Sequence, residues 1–280
     1  MPDPLHLHPH PVDEPRGAVL VVHGFGEHSG RYRHVQERLA ADGWASLAFD
    51  LRGHGASPGR RTYIARFEEY LDDVDEGLAA LRERWPELPL VLLGHSLGGL
   101  IAARWIQERG AGGVDALVLS APAFSFAVPL PWHQRLLAQV ASRVSPTLRR
   151  ESRVNILLLS HDPRNALAIM QDRLCEPTAT ARWFTESQRA QRQALAAAGE
   201  VGLPLCLLVA GDDTIVGPDA ARAFFAAAGS ADKQLFDYPE LYHELFNETE
   251  RERVFGDLVG WLAHRFPARE PDPDAATAGS

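Results

Sequence analysis

Residues 90–99 read Leu-Val-Leu-Leu-Gly-His-Ser-Leu-Gly-Gly, an apolar run that breaks into a pattern few backbones can satisfy. Leu90–Leu93 is expected to form a fully buried strand, and Leu97–Glu108 has the spacing of a helix. Gly94-x-Ser96-x-Gly98 must therefore turn the chain from strand to helix within a few residues. A serine on so tight a turn is held in strained dihedrals with its hydroxyl pointing out. Glycines two before and two after it keep side chains away from the neighbouring elements. The N-terminus of the helix adds free N–H groups and the positive end of its dipole. Alone, G-x-S-x-G is a common turn; between a buried strand and a helix it marks Ser96 as a candidate nucleophile.

The rest of the chain supplies a frame for that turn. Short apolar runs at Ala18–Val22, Trp44–Phe49, Ala116–Leu119, Leu205–Val209 and Gln234–Tyr238 alternate with amphipathic stretches at Arg31–Asp42, Phe67–Trp85, Asp219–Ala228 and Glu250–Phe266. This alternation predicts an α/β protein with a mostly parallel central sheet flanked by helices. The rhythm fails between Ala121 and Leu203. That stretch opens with no Asp, Glu, Lys or Arg from Ser120 to Gln134, then places Leu136, Leu137, Val140 and Val144 along one side of a helical segment. We expect core at residues 1–121 and 203–267, a mainly helical cap inserted at 122–202, and a disordered Pro/Ala/Asp-rich tail at 268–280.

A Ser nucleophile needs two N–H donors aimed at the tetrahedral oxyanion. The residue after the serine, Leu97, would give one. Phe25, in the glycine-rich loop His23-Gly-Phe-Gly-Glu-His-Ser-Gly-Arg-Tyr32 that follows the first long strand, would give the other. In a fold of this kind the acid and the base follow the serine in that order, on loops after later strands. The strand at Leu205–Val209 leads into Ala-Gly-Asp212-Asp213-Thr, and that at Gln234–Tyr238 into Pro-Glu-Leu-Tyr-His243-Glu. His243 is the one histidine of twelve between the last strand and the last helix. Either aspartate lies near enough in sequence to orient it.

These loops together resemble the α/β-hydrolase superfamily, and within it the monoacylglycerol lipase and lysophospholipase group. The segments are HGFGEHSGRY (23–32), FDLRGHGAS (49–57), GHSLGG (94–99), SAPA (120–123), AGDDTIV (210–216) and YHELFNE (242–248), within a likeness spanning about 16–266. The resemblance implies an ester hydrolase working through an acyl-enzyme, with Ser96 as nucleophile and His243 as base. It favours Asp213 over Asp212, because the family's acid precedes one residue and an Ile-Val pair. It places Glu27 and Arg31 on a polar pocket for a glycerol head group, and makes the cap an apolar acyl channel. No metal and no organic cofactor is expected. Two departures stand out. The first long strand begins close to Met1, so an N-terminal strand usual in the family is expected to be missing. Phe246 stands where some monoacylglycerol lipases carry a polar residue.

A formal charge of −9 excludes a general phosphate-collecting surface, and with it nucleic acid. The N-terminus lacks a basic stretch followed by an apolar one, so the cytoplasm is the expected location. A small-molecule ester or lipid is the expected partner, with weak membrane-surface contact through a cap stretch carrying Phe124, Phe126, Leu130 and Trp132. Cys175 and Cys206 are expected to be free thiols. His6, His8 and His10 alternate on one strand face; among prolines, with no carboxylate or Cys partner in sight, they read as a polar edge strand rather than metal ligands. Asp50, Arg52 and His54 are expected to brace loops. Two rivals stay open: a short-chain carboxylesterase or thioesterase, and a catalytically silent ligand-binding module.

Overall fold

The computed structural model describes residues 3–127, 131–152 and 154–267. In chain order it forms β1 (Leu7–His10), β2 (Gly17–Val22), α1 (Arg33–Ala41), β3 (Trp44–Phe49), α2 (Glu68–Arg84), β4 (Leu90–His95), α3 (Leu97–Arg109) and β5 (Ala116–Ser120). There follow α4 (Trp132–Val144), β6 (Arg149–Glu151), α5 (Pro163–Gln171), β7 (Thr178–Thr180) and α6 (Ala181–Ala196). The chain closes with β8 (Leu205–Ala210), α7 (Pro218–Ala227), β9 (Lys233–Tyr238) and α8 (Arg251–Arg265).

Seven strands make one sheet in the order β1-β3-β2-β4-β5-β8-β9, parallel except for β1. Both faces are covered, so the central strands read as continuous apolar runs. Leu20, Leu92 and Leu207 point to one core layer with α2, α3, α6 and α7. Val19, Val91 and Leu208 point to the other, with α1 and α8. β1 is the short edge strand that the alternating histidines foretell, with His8 opposite Ala48; no strand precedes it among the described residues. The helix expected from Arg31 begins at Arg33, after a 3-10 turn at Ser29–Tyr32.

The described residues of 122–202 are mainly helical, but β6 and β7 pair as a small antiparallel ribbon that no sequence signal announces. Its halves behave differently. α4 and α5 carry exposed apolar residues, whereas Trp183, Ala190 and Ala194 of α6 belong to the same core layer as Leu97 and Leu119. The uncharged stretch before α4 divides likewise. Phe124 stacks on Phe224 at 4.2 Å and Phe126 on Phe184 at 5.6 Å, so both are packed core, while Trp132 is 76% exposed. Leu130 and the tail at 268–280 lie outside the described residues. No helix among those described is long and apolar enough to cross a membrane.

Candidate active site

β4 delivers Ser96 to the end of the sheet at φ 52° and ψ −117°, a backbone conformation that L residues rarely adopt and that the surroundings enforce. The Ser96 N–H donates to Ser120 O at 2.9 Å, and Ser96 O accepts from Ala123 N at 2.9 Å. The flanking glycines are required by contact. A Cβ at Gly94 would stand 2.3 Å from Gly98 O, and one at Gly98 would stand 2.1 Å from Val22 O. This closeness lets β4 and α3 meet at so sharp an angle.

Two loops bring partners to the serine. His243, between β9 and α8, places Nε2 2.8 Å from Ser96 Oγ and Nδ1 2.6 Å from Asp213 Oδ2. A carboxylate only accepts, so Nδ1 carries the proton and Nε2 accepts from the serine hydroxyl. Asp213 is fixed in turn, its Oδ1 accepting from the N–H groups of Ile215 at 2.8 Å and Val216 at 3.0 Å. Asp212 is exposed. Burial disfavours the imidazolium of His243, but the Asp213 carboxylate outweighs it and raises the pKa above the ordinary 6.5. His95, beside the serine, goes the other way. Burial and the neighbouring His243, 4.9 Å between ring centroids, push it down to about 4, so it stays neutral.

The loop after β2 reaches the same point. A Cβ at Gly24 would lie 3.2 Å from that of Ser96, so Gly24, the residue before Phe25, abuts the serine. Leu97 opens α3, where main-chain N–H groups have no partner in a preceding turn. The Phe25 ring packs on Trp183 at 3.9 Å, joining this loop to α6.

Glu27 and Arg31 are both committed to protein partners. Glu27 Oε1 accepts from Gly24 N at 2.6 Å and from the Tyr32 hydroxyl at 2.7 Å, and Oε2 from Arg31 Nη1 at 2.5 Å. Arg31 also donates twice to Glu244, at 3.0 and 2.6 Å, and to Asn165 Oδ1 of α5 at 2.9 Å. Burial alone would raise the Glu27 carboxyl; Arg31 and the nearby histidines hold it below its ordinary value. Glu244 and Asn165 escaped the sequence reading. Nothing local says that the residue after His243 reaches an arginine 213 positions earlier. A narrow pocket lies beside this network, lined by Arg31, Tyr32, His95, Glu244 and Phe246 among others.

The bracing residues also have defined partners. Asp50 accepts from Ser29 N and Oγ through Oδ1 and from Ala56 N through Oδ2. Arg52 pairs with Asp73, and His54 Nδ1 bonds Arg52 O at 3.1 Å. The fold brings Asp50 within ligand distance of His6 and His8, a carboxylate that no local signal places there, although both its oxygens are already occupied. His10 is not part of that group.

The sheet order, the crossover helices and the serine on its strand-to-helix turn are those of an α/β-hydrolase. Comparison with known proteins gives the family. The model for the family described as serine aminopeptidase, S33, matches residues 13–250. A monoacylglycerol lipase of Mycolicibacterium smegmatis is 32% identical over 256 residues, 90% of each chain. Phospholipase YtpA of Bacillus subtilis is 30% identical over 87% of this chain and 94% of its own. The crystal structure of a monoacylglycerol lipase from Paleococcus ferrophilus superposes with a TM-score of 0.84 at 31% identity, covering 93% of this chain and 98% of that one. The chain belongs to this S33 family of serine hydrolases.

Proposed function

We propose that the protein hydrolyses carboxylic esters that join one acyl chain to a small polar head group, monoacylglycerols or lysophospholipids. The hydrogen-bonded line Ser96–His243–Asp213 carries this reading. His243 takes the proton as Ser96 Oγ attacks the ester carbonyl, and the N–H groups of Phe25 and Leu97 receive the oxyanion. The imidazolium then protonates the departing alcohol, and water repeats the sequence on the acyl-enzyme. Asp213 keeps the imidazole in its Nδ1–H tautomer. No step calls on a metal or an organic cofactor. Glu27 and Arg31 serve as the wall of the head-group pocket, since their charged atoms are already paired.

The cap at 122–202 supports a lipid substrate. Ser96 is only 8% exposed, so an ester reaches it through an opening of the elements around it. Every exposed large hydrophobic side chain among the described residues lies between Trp132 and Leu174. Trp132, Leu136, Val140 and Val144 recur at helical spacing along α4, and residues 132–150 hold four arginines and no carboxylate. That face, apolar and basic on an otherwise acidic chain, is the part that meets the lipid surface, in a protein we place in the cytoplasm.

Turnover of p-nitrophenyl esters from acetate to palmitate, alongside a monoacylglycerol, tests the reading. Rates should climb with chain length. Activity confined to acetate and butyrate would replace it with a short-chain carboxylesterase or thioesterase. A folded protein inert to all of them would be a binding module.

The pH dependence has a definite sign. The base must be neutral to accept a proton, and its pKa lies above 6.5. The acid limb of kcat/KM should therefore bend above pH 6.5, with activity lost as pH falls through that value. A limb bending well below 6.5 would contradict the assignment of His243.

A further inference from the structure

Both ends of α5 are fastened to the loops that frame Ser96. At its start, Glu244 N donates to Leu159 O at 2.7 Å and Asn165 bonds Arg31. At its end, Glu176 N donates to Gly26 O at 2.7 Å, and His28 Nε2 meets Asp172 Oδ2 at 2.7 Å. The second attachment includes a thiol. A ring nitrogen of His28, a carboxylate oxygen of Asp172 and Sγ of Cys175 all lie within 4.8 Å of one another.

We propose that His28, Asp172 and Cys175 form a binding site for a divalent cation of zinc or cadmium type, which clasps the cap to the loop carrying Phe25. Imidazole, carboxylate and thiolate are the donor set such ions prefer, and three protein ligands leave a position for water. The local charge favours a cation. Around Cys175 stand the carboxylates of Glu27, Asp172 and Glu244 against the single guanidinium of Arg31. Asp172 and Cys175 are half-buried, so an ion has a path to them. Asp172 Oδ1 is held by Leu174 N at 2.8 Å, which leaves Oδ2 to turn between imidazole and metal.

The proton balance is simple. His28 now accepts from Gly30 N at Nδ1, 3.2 Å away, and donates from Nε2 to Asp172. On coordination the imidazole shifts its proton to Nδ1 and gives up the Gly30 contact. The thiol, which burial pushes up to about 12, forms the metal–sulfur bond and releases one proton to solvent. In the other metal-spaced group, His6, His8 and Asp50, both carboxylate oxygens are held by groups that are not themselves candidate ligands.

Cadmium alone is the first probe, because thiolate coordination produces an ultraviolet charge-transfer band. The other thiol, Cys206, is wholly buried in β8, so the band reports Cys175. One equivalent of Cd²⁺ should bring up the band, raise Tm and lower ester turnover along one binding curve. Cys175→Ser should abolish the band and weaken the Tm response at least tenfold, with metal-free turnover unchanged. Asp172→Asn, which keeps the thiol, should weaken binding at least tenfold as well. A native protein showing no band and no Tm shift would overturn the proposal. So would a Cys175→Ser variant that responds like the native one, an Asp172→Asn variant binding as tightly as native, or a rise in Tm with no loss of turnover.

Discussion

Ser96→Ala should give a folded protein whose ester turnover is lower by on the order of 10⁵–10⁶-fold. The size follows from the chemistry. Without Oγ there is no acyl-enzyme, and what remains is a pocket that positions an ester near a neutral imidazole and two N–H donors. The fold should hardly register the change. Ser96 Oγ bonds only the His243 imidazole among the partners found for it, and alanine meets the same positive-φ backbone that serine already tolerates. Tm measured beside turnover separates the two effects. A variant keeping more than about 1% of native turnover would remove Ser96 from the mechanism.

The paired aspartates allow the second large contrast. Asp213→Asn should lower kcat by about 10⁴-fold. An amide at that position can donate to Nδ1, which leaves the imidazole proton on Nε2, facing a hydroxyl it should be accepting from. Asp212→Asn should leave kcat close to native, since that side chain is exposed and His243 is already held by its neighbour. Equal losses in the two variants would show that the loop, not the carboxylate, matters. A small loss at Asp213 with a large one at Asp212 would reverse the assignment.

Much of this site could be read before any coordinates because its signals are local. Strand, glycine, serine, glycine and helix around Ser96 constrain one another within ten residues, and His243 stands out by its place between the last strand and the last helix. The choice between Asp212 and Asp213 lay beyond composition and spacing, because adjacent residues share every long-range expectation; only motif register favoured one. Long-range pairings were invisible. Glu244 on Arg31, Asp172 on His28 and Asp50 beside the N-terminal histidines join segments whose sequences carry no mark of each other. The ribbon of β6 and β7 was missed because three-residue strands have no period to detect. In the uncharged stretch, apolar character alone could not tell Phe124 and Phe126, which pack inward, from Trp132, which does not.

The packing of α6 bears on how such a protein can change its diet. An insertion that stood wholly clear of the sheet could be traded as a module between relatives, cut at residues 122 and 202. Here Trp183, Ala190 and Ala194 fill the layer beneath α3, and Gln191 donates to Ala123 O at 3.0 Å. Removing them would open the interior that supports Ser96 itself. We propose that an exchangeable piece is shorter and closes at Thr180, whose hydroxyl bonds Thr62 O at 2.7 Å and caps α6. Chimeras that exchange α4 and α5 and keep α6 should fold, while those cut at residue 202 inherit a mismatched foundation.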